Sequence, residues 1–296
     1  MKGLKERDWD SLLRRIKDGN CTPFLGAGAC AGFIPLGSEI AQEWARDYGY
    51  PLSDPWDLAR VAQCLAIKHD PMFPKDEIVR RLKTVEKRPD FNDPAEPHGI
   101  LANLPLPIYI TTNYDDFMTR ALRSRHRNPS RELCRWNRLV RDRPSVFDPG
   151  SGTEVSVANP VVFHLHGHDE VPESLVLTED DYLDFLVNVS RESQIIPRRI
   201  ERALASTSLL FIGYRLADWN FRVLFRGLIG SLERSLGRIR VAVQLAPEPG
   251  EGCTREQVQR YLQDYLAKDD VRVYWGKASN FVQELQKRWE AFNEGA

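Results

Sequence analysis

The sequence predicts an α/β fold, a doubly wound and mostly parallel sheet of about six strands with helices on both faces. Two observations carry this. Apolar runs too short for helices, rich in β-branched or aromatic residues, recur at Thr22–Leu25, Ile108–Thr112, Val161–Leu165, Leu209–Ile212, Val241–Leu245 and Val271–Trp275. Helical periodicities fill most intervals: Glu39–Tyr48, Pro55–Ile67, Asp76–Val85, Asp116–Arg123, Glu179–Val189, Gln194–Ala205, Asp218–Leu232, Arg255–Ala267 and Asn280–Phe292. Composition agrees with a globular enzyme: 296 residues, 42% hydrophobic and 28% charged, with 41 basic against 42 acidic side chains.

Two stretches break the alternation. Residues 51–107 hold helical patterns without a convincing strand and predict a helical insertion after the first strand–helix unit. Residues 124–160 are basic and then turn-rich, which predicts a surface hairpin or excursion. The five cysteines, Cys21, Cys30, Cys64, Cys134 and Cys253, lie scattered with no C-x-x-C, as expected of reduced thiols in a cytosol and not of a four-thiolate zinc site. No apolar run approaches the roughly 20 residues that span a bilayer, and the N-terminus lacks the apolar segment of a signal peptide, so a cytoplasmic location is expected.

The chemistry-bearing residues collect where strands end. The first run leads into Gly26-Ala27-Gly28, a turn that lets backbone approach a pyrophosphate or simply makes a tight corner. The second leads into Thr112-Asn113-Tyr114-Asp115-Asp116, with Asn113 and Asp115 at the ligand-binding edge of an open α/β sheet and Asp116 placed to cap a helix. The third ends in His164-Leu165-His166-Gly167-His168. His166 is placed as a base, His164 as a buried, hydrogen-bonded histidine, and a three-histidine metal set is disfavoured because alternation ends at Gly167. The fourth ends in Gly213-Tyr214.

In this order GAGA, TTNYD, HLHG, LTEDDY (Leu177–Tyr182) and LLFIGYRLADWNFR (Leu209–Arg222) resemble the sirtuin-like NAD-hydrolase domains of bacterial antiphage defence systems, over roughly residues 20–290. The resemblance implies a Rossmann-like, sirtuin-type single NAD-binding domain over 1–296. Gly26, Ala27 and Gly28 match the loop that embraces pyrophosphate and ribose, Asn113 and Asp115 the Asn and Asp of the T-Q-N-I-D motif, and His166 the His-Gly base. Gly213 matches a glycine near the nucleotide, and Thr112 and Tyr214 complete the expected binding set. The zinc-ribbon cysteines are missing, Thr112 replaces Gln, and Pro35-Leu36-Gly37-Ser38 replaces Pro-Asp-Phe-Arg, which tells against acetyl-lysine chemistry.

The implied reaction is cleavage of the nicotinamide–ribose bond of NAD to nicotinamide and ADP-ribose, with Asn113 and His166 catalytic, NAD as substrate and no metal. The leaving group is already a pyridinium and needs no general acid; positive charge develops on the ribose. An NAD-depleting effector must be held silent. The resemblance and the lack of a sensor domain therefore imply a homo-oligomer or a partner such as a HerA-like ATPase or a short Argonaute. Alternatives are a non-catalytic NAD or ADP-ribose sensor, a deacylase, and a nucleic-acid-associated subunit. The last is suggested by nine arginines in 120–143 facing only Glu132 and Asp142, with Trp136 available to stack on a base; a solvated or subunit-contacting face is the favoured reading of that segment.

Overall fold

The computed structural model of the chain describes residues 4–192, 194–214, 239–245, 249 and 252–295. Its centre is a seven-stranded sheet in the order β3-β4-β2-β1-β5-β6-β7, built from β1 (Cys21–Leu25), β2 (Ile108–Thr111), β3 (Ser130–Leu133), β4 (Val161–His164), β5 (Ser208–Ile212), β6 (Arg240–Gln244) and β7 (Val271–Trp275). Every pairing is parallel. The chain enters at the centre, winds outward through β2 to β4, then returns to the other side of β1. Between β1 and β5 the winding reverses, and the carboxyl ends there form the crevice in which such folds bind ligands.

Helices cover both faces. On one side α1 (Glu6–Lys17), α5 (Pro97–Ala102) and α6 (Phe117–Ser124) pack with the C-terminal helix α10 (Ala278–Glu294), where Trp9, Leu12, Leu101, Leu122 and Phe281 meet Leu25, Tyr109, Val162 and Leu210. On the other side α7 (Glu179–Arg191), α8 (Arg198–Ser206) and α9 (Arg255–Ala267) place Phe185, Ile200, Leu204 and Leu266 against Phe24, Ile110, Phe163 and Phe211. Successive strand side chains thus go to opposite cores, which is why these strands read as continuous apolar runs. A smaller core joins α2 (Gly37–Asp47), α3 (Leu58–Lys68) and α4 (Phe73–Lys83) through Ile40, Trp44, Val61, Leu65 and Ile78.

Three elements depart from expectation, and the strand count rises from about six to seven. The segment expected to be a surface hairpin contributes the parallel edge strand β3, registered Ser130–Val161 to Leu133–His164. Its polar residues are satisfied locally: the buried Glu132 carboxylate accepts from Ser145 Oγ and Val146 N, both at 2.8 Å. Helices α1 and α5 are the other two. The helix expected over Asp218–Leu232 lies outside the described residues. Among the described residues no helix is long and apolar enough to cross a membrane, and all five cysteines are free.

Pro23 sits in the central strand, where a missing N–H ordinarily breaks a ladder. Pairing of β1 with β2 is registered only from Phe24–Ile110 and Leu25–Thr111, just past the proline. The strand ends are then level: Leu25 pairs with both Thr111 and Ile212, and Thr111 with His164.

Beyond the level ends the backbone of the glycine turn lies directly on Gly213. Gly28 N donates to Gly213 O at 2.9 Å, and a Cβ on Gly28 would stand 2.9 Å from Gly213 Cα. Gly213 itself has φ +85, and a Cβ there would overlap Ala29 N and Gly26 O. Gly150 has an equally positive φ of +86 but open space around it. Gly213→Ala is therefore expected to lose about 2–4 kcal/mol, combining left-handed strain with overpacking, against about 1 kcal/mol for Gly150→Ala. Urea unfolding of both variants checks this; equal midpoints would mean that the turn yields without cost.

Candidate active site

The 3-10 turn Ala27–Cys30 opens directly from β1. Gly26 N donates to Ile212 O and Ala29 N to Gly26 O, both at 2.9 Å, so with Gly28 three of the turn's N–H groups are held inside the protein. The glycines at 26 and 28 serve close backbone approach to Gly213; Ala27 is the exposed member of the turn. Tyr214 covers the turn from the β5 side. Its hydroxyl donates to Leu25 O at 2.7 Å and lies 2.8 Å from Thr112 Oγ1, while Gln244 Nε2 donates to Tyr214 O at 2.7 Å. Thr112 and Tyr214 thus join the ends of β1, β2, β5 and β6.

Asn113 is anchored at both ends. Its backbone N donates to Thr111 Oγ1 at 2.9 Å, and its side-chain Nδ2 donates to Gly26 O at 3.1 Å and to Cys30 Sγ at 3.2 Å. Asp115 accepts from Phe117 N at 2.9 Å, which starts α6, and its other oxygen faces Cys30 Sγ at 3.2 Å. Asp116 precedes α6 without a side-chain capping bond. Gly26, Gly28, Thr112, Asn113, Asp115, Gly213 and Tyr214 therefore form one connected group.

His166 approaches from β4. It lies two residues beyond His164, as Asn113 lies two beyond Thr111, and those two strand ends are registered partners. Its ring packs edge-on against Tyr182 and Phe185, with centroids 5.4 and 5.2 Å away. Its Nε2 is buried and has no hydrogen-bond partner among the described residues. Burial pushes the imidazole down to about 3, so it is neutral at ordinary pH. The connection to Asn113 runs through His164, whose Nδ1 donates to Asn113 O at 3.0 Å while its Nε2 receives Arg131 Nε at 3.4 Å. His164 is a buried, satisfied histidine, held well below its usual range by burial and then by Arg131. His168 is pushed to about 4 by the same two causes.

The other flank of Asn113 was not foreseen from sequence. Cys30 Sγ lies 3.8 Å from His98 Nε2, and His98 Nδ1 lies 2.6 Å from Glu96 Oε1. Glu96 and His98 are 3% and 1% exposed. One ligand atom from each of Cys30, His98 and Asp115 falls within 4.8 Å of the others. No spacing motif announces this group, because positions 30, 98 and 115 meet only when α5 docks beneath the turn.

The basic segment works within the fold. Arg131 pairs with Asp169 and Glu170, Arg141 with Glu192, and Arg135 with Asp148, while Arg125 and Arg127 donate to the carbonyls of Phe91 and Leu104. Trp136, expected to be available for stacking on a base, is 2% exposed and donates Nε1 to Ser174 O.

A family model for the SIR2-like domain matches residues 107–269. NAD(+) hydrolase ThsA of Acinetobacter baumannii is 23% identical over 96% of this chain and 56% of its own length; that of Cytobacillus dafuensis is 26% identical over 88% and 46%. The chain spans about half the length of the curated relatives it matches. A mutant Sir2 homologue solved with ADP-ribose aligns with TM-score 0.49 at 16% identity, covering 98% of each chain. Since the family model covers more than half of the 296 residues, the chain belongs to the SIR2-like domain family.

Proposed function

We propose that this chain is an NAD glycohydrolase, which splits the nicotinamide–ribose bond and transfers water to the ribose, giving nicotinamide and ADP-ribose. The observation that carries the reading is the buried Nε2 of His166, unpartnered among the described residues and two positions past the end of β4, whose His164 bonds Asn113 of the connected Asn–Asp–glycine group. An orphaned buried nitrogen costs about 1–3 kcal/mol, and such a cost persists where a ligand supplies the partner. The names of the relatives as NAD(+) hydrolases support the same reading.

In this reading Gly26, Ala27, Gly28, Gly213 and Tyr214 cradle the dinucleotide, with Thr112 holding the Tyr214 hydroxyl. Asn113 Nδ2 is committed to Gly26 O and Cys30 Sγ, which leaves Oδ1 to orient a ribose hydroxyl or the attacking water. Asp115 stabilises the positive charge that develops on the ribose. His166 takes the proton released by water; its basicity rises when the anionic pyrophosphate enters, because an opposite charge favours the protonated ring.

The purified protein, with its activating partner where one is required, is expected to release nicotinamide from NAD. His166→Ala is expected to lower turnover by about 10²–10⁴-fold, the usual worth of a positioned acid–base group, and Asn113→Ala by about 10²–10³-fold, the usual worth of one preorganised polar side chain. Binding of NAD with no nicotinamide release under any condition would support the sensor reading instead, and full turnover by either variant would remove that residue from the mechanism.

The proposal extends to a cytosolic effector of antiphage defence, kept silent until it assembles or meets a partner such as a HerA-like ATPase or a short Argonaute. Supporting assembly, Ile67, Leu183 and Val187 stand 76%, 55% and 41% exposed on α3 and α7, helices that pack together through Gln63 and Asp180. Native mass measurement alongside the NAD assay is expected to show turnover only in the assembled or partnered form. A constitutively active monomer contradicts it.

The neutral histidines also set acid stability. Free imidazole titrates near 6.5, so between that pH and about 4 the unfolded chain binds protons that folded His164, His166 and His168 refuse. Stability therefore falls as pH falls, by up to about 1.4 kcal/mol per unit for each histidine. His98 works in the opposite sense: burial pushes it down, but its hydrogen bond to Glu96 and the nearby charges raise it overall. The urea midpoint is expected to drop clearly between pH 7 and 5; a flat or rising midpoint would mean that these rings are charged in the native state.

A further inference from the structure

We infer that Cys30, His98 and Asp115 form a binding site for one thiophilic divalent cation of the Zn²⁺ type, on the opposite flank of Asn113 from His164. Zinc bonds of about 2.3 Å to sulfur and about 2.0 Å to nitrogen or oxygen, at tetrahedral angles, separate sulfur from the other donors by about 3.5 Å. The observed separations are 3.8 Å from Sγ to His98 Nε2 and 3.2 Å from Sγ to Asp115 Oδ2. These two separations lie within about 0.3 Å of that value, and the donor atoms of His98 and Asp115 lie within 4.8 Å of each other.

The surroundings are those of a ligand set. The carboxylate of Glu96 engages His98 Nδ1, and its second oxygen accepts from Gly99 N. This fixes the ring and turns Nε2 toward the sulfur, the carboxylate–histidine pairing common behind metal-bound imidazoles. The ring edge of Phe117 packs on His98, with centroids 5.8 Å apart. Asn113 Nδ2 aims an N–H at Sγ, a donor suited to a bound thiolate. Among the described residues no Lys or Arg pairs with Glu96 or Asp115; His98 is the one cationic partner. Local negative charge is thus left for a cation to neutralise.

The same atoms could be drawn as a Cys–His–Glu nucleophile. Burial, and then the charge of Asp115, push the Cys30 thiol well above its usual range, the reverse of what an attacking thiolate requires. A bound cation inverts that balance through its own charge. On binding, the S–H bond of Cys30 breaks, its proton and any proton on His98 Nε2 leave to solvent, and both lone pairs go to the metal. Three protein donors leave a fourth position for water, as in an open site.

The cation would engage the Asp115 carboxylate and so withhold it from a ribose. Its inhibitory consequence rests on the hydrolase reading; its binding does not. The test is titration of the intact protein with Co²⁺ alone, read by the sulfur-to-cobalt charge-transfer band and the visible bands of tetrahedral cobalt, with Zn²⁺ added to displace it. Wild type is expected to bind one equivalent with both signatures. Cys30→Ser is expected to lose the charge-transfer band, Glu96→Gln to bind about 10–100-fold more weakly, and Cys253→Ser, at an exposed thiol, to leave binding unchanged. Absence of the band in wild type, or its persistence in Cys30→Ser, overturns the site. Nicotinamide release from the chelator-treated, metal-free protein with its activating partner separates the two proposals: no release there from a protein that binds Co²⁺ keeps the site and removes the hydrolase, whereas turnover indifferent to Zn²⁺ in a protein that binds no Co²⁺ does the reverse.

Discussion

The rim depends on one close approach, in which the backbone of residues 26–29 rests on Gly213 with no side chain between them. β1 and β5 flank the reversal of the sheet's winding, so their ends would ordinarily diverge into separate loops. Gly28 N on Gly213 O and Gly26 N on Ile212 O extend the ladder past both strands and hold them together. Because Gly26 O is fixed, it can receive Asn113 Nδ2; because Leu25 O is fixed, it can receive the Tyr214 hydroxyl. Each bond contributes only about 1 kcal/mol. Their joint effect is positional: polar groups from four strands are held before any ligand arrives, so little reorganisation would be left for the proposed reaction.

How much of this was legible in the sequence depended on whether a signal was local. Parallel strands buried on both faces read as apolar runs, so six strands were visible, and the residues following their carboxyl ends were named because the fold class says where ligands go. β3 was not visible: it is four residues long, lies at an edge and carries Arg131 and Glu132, whose burial is made tolerable by partners at 145, 146 and 169. Helix α5, with Pro97 and Gly99 in six residues, has no local reason to be helical and is held by its packing on α6 and α10. Helix α1 did carry a signal, with Trp9, Leu12, Leu13 and Ile16 at helical spacing. The basic segment misled because composition counts charges without their partners; Arg125 and Arg127 donate to carbonyls of the preceding loops. Cys30, Glu96 and His98 were beyond reach, since only docking of α5 brings them together.

The two flanks of Asn113 differ in electrostatic character, and that difference suits the proposed reaction. On one side stand His164, His166 and His168, neutral through burial and, for His164 and His168, through the charge of Arg131 as well. On the other stand the carboxyl groups of Glu96 and Asp115 with His98 between them. Asn113 touches both, its carbonyl taking a proton from His164 and its amide giving one to Cys30. In the proposed reaction a ribose that turns cationic as a pyridinium leaves would be stabilised by the acidic flank. The attacking water would give its proton to the neutral flank, where the His166 imidazole has an unpartnered nitrogen among the described residues. Exchanging the flanks would leave the developing cation beside neutral rings, with no carboxylate to stabilise it, so in the proposed reaction the asymmetry around one asparagine would supply the direction of the chemistry.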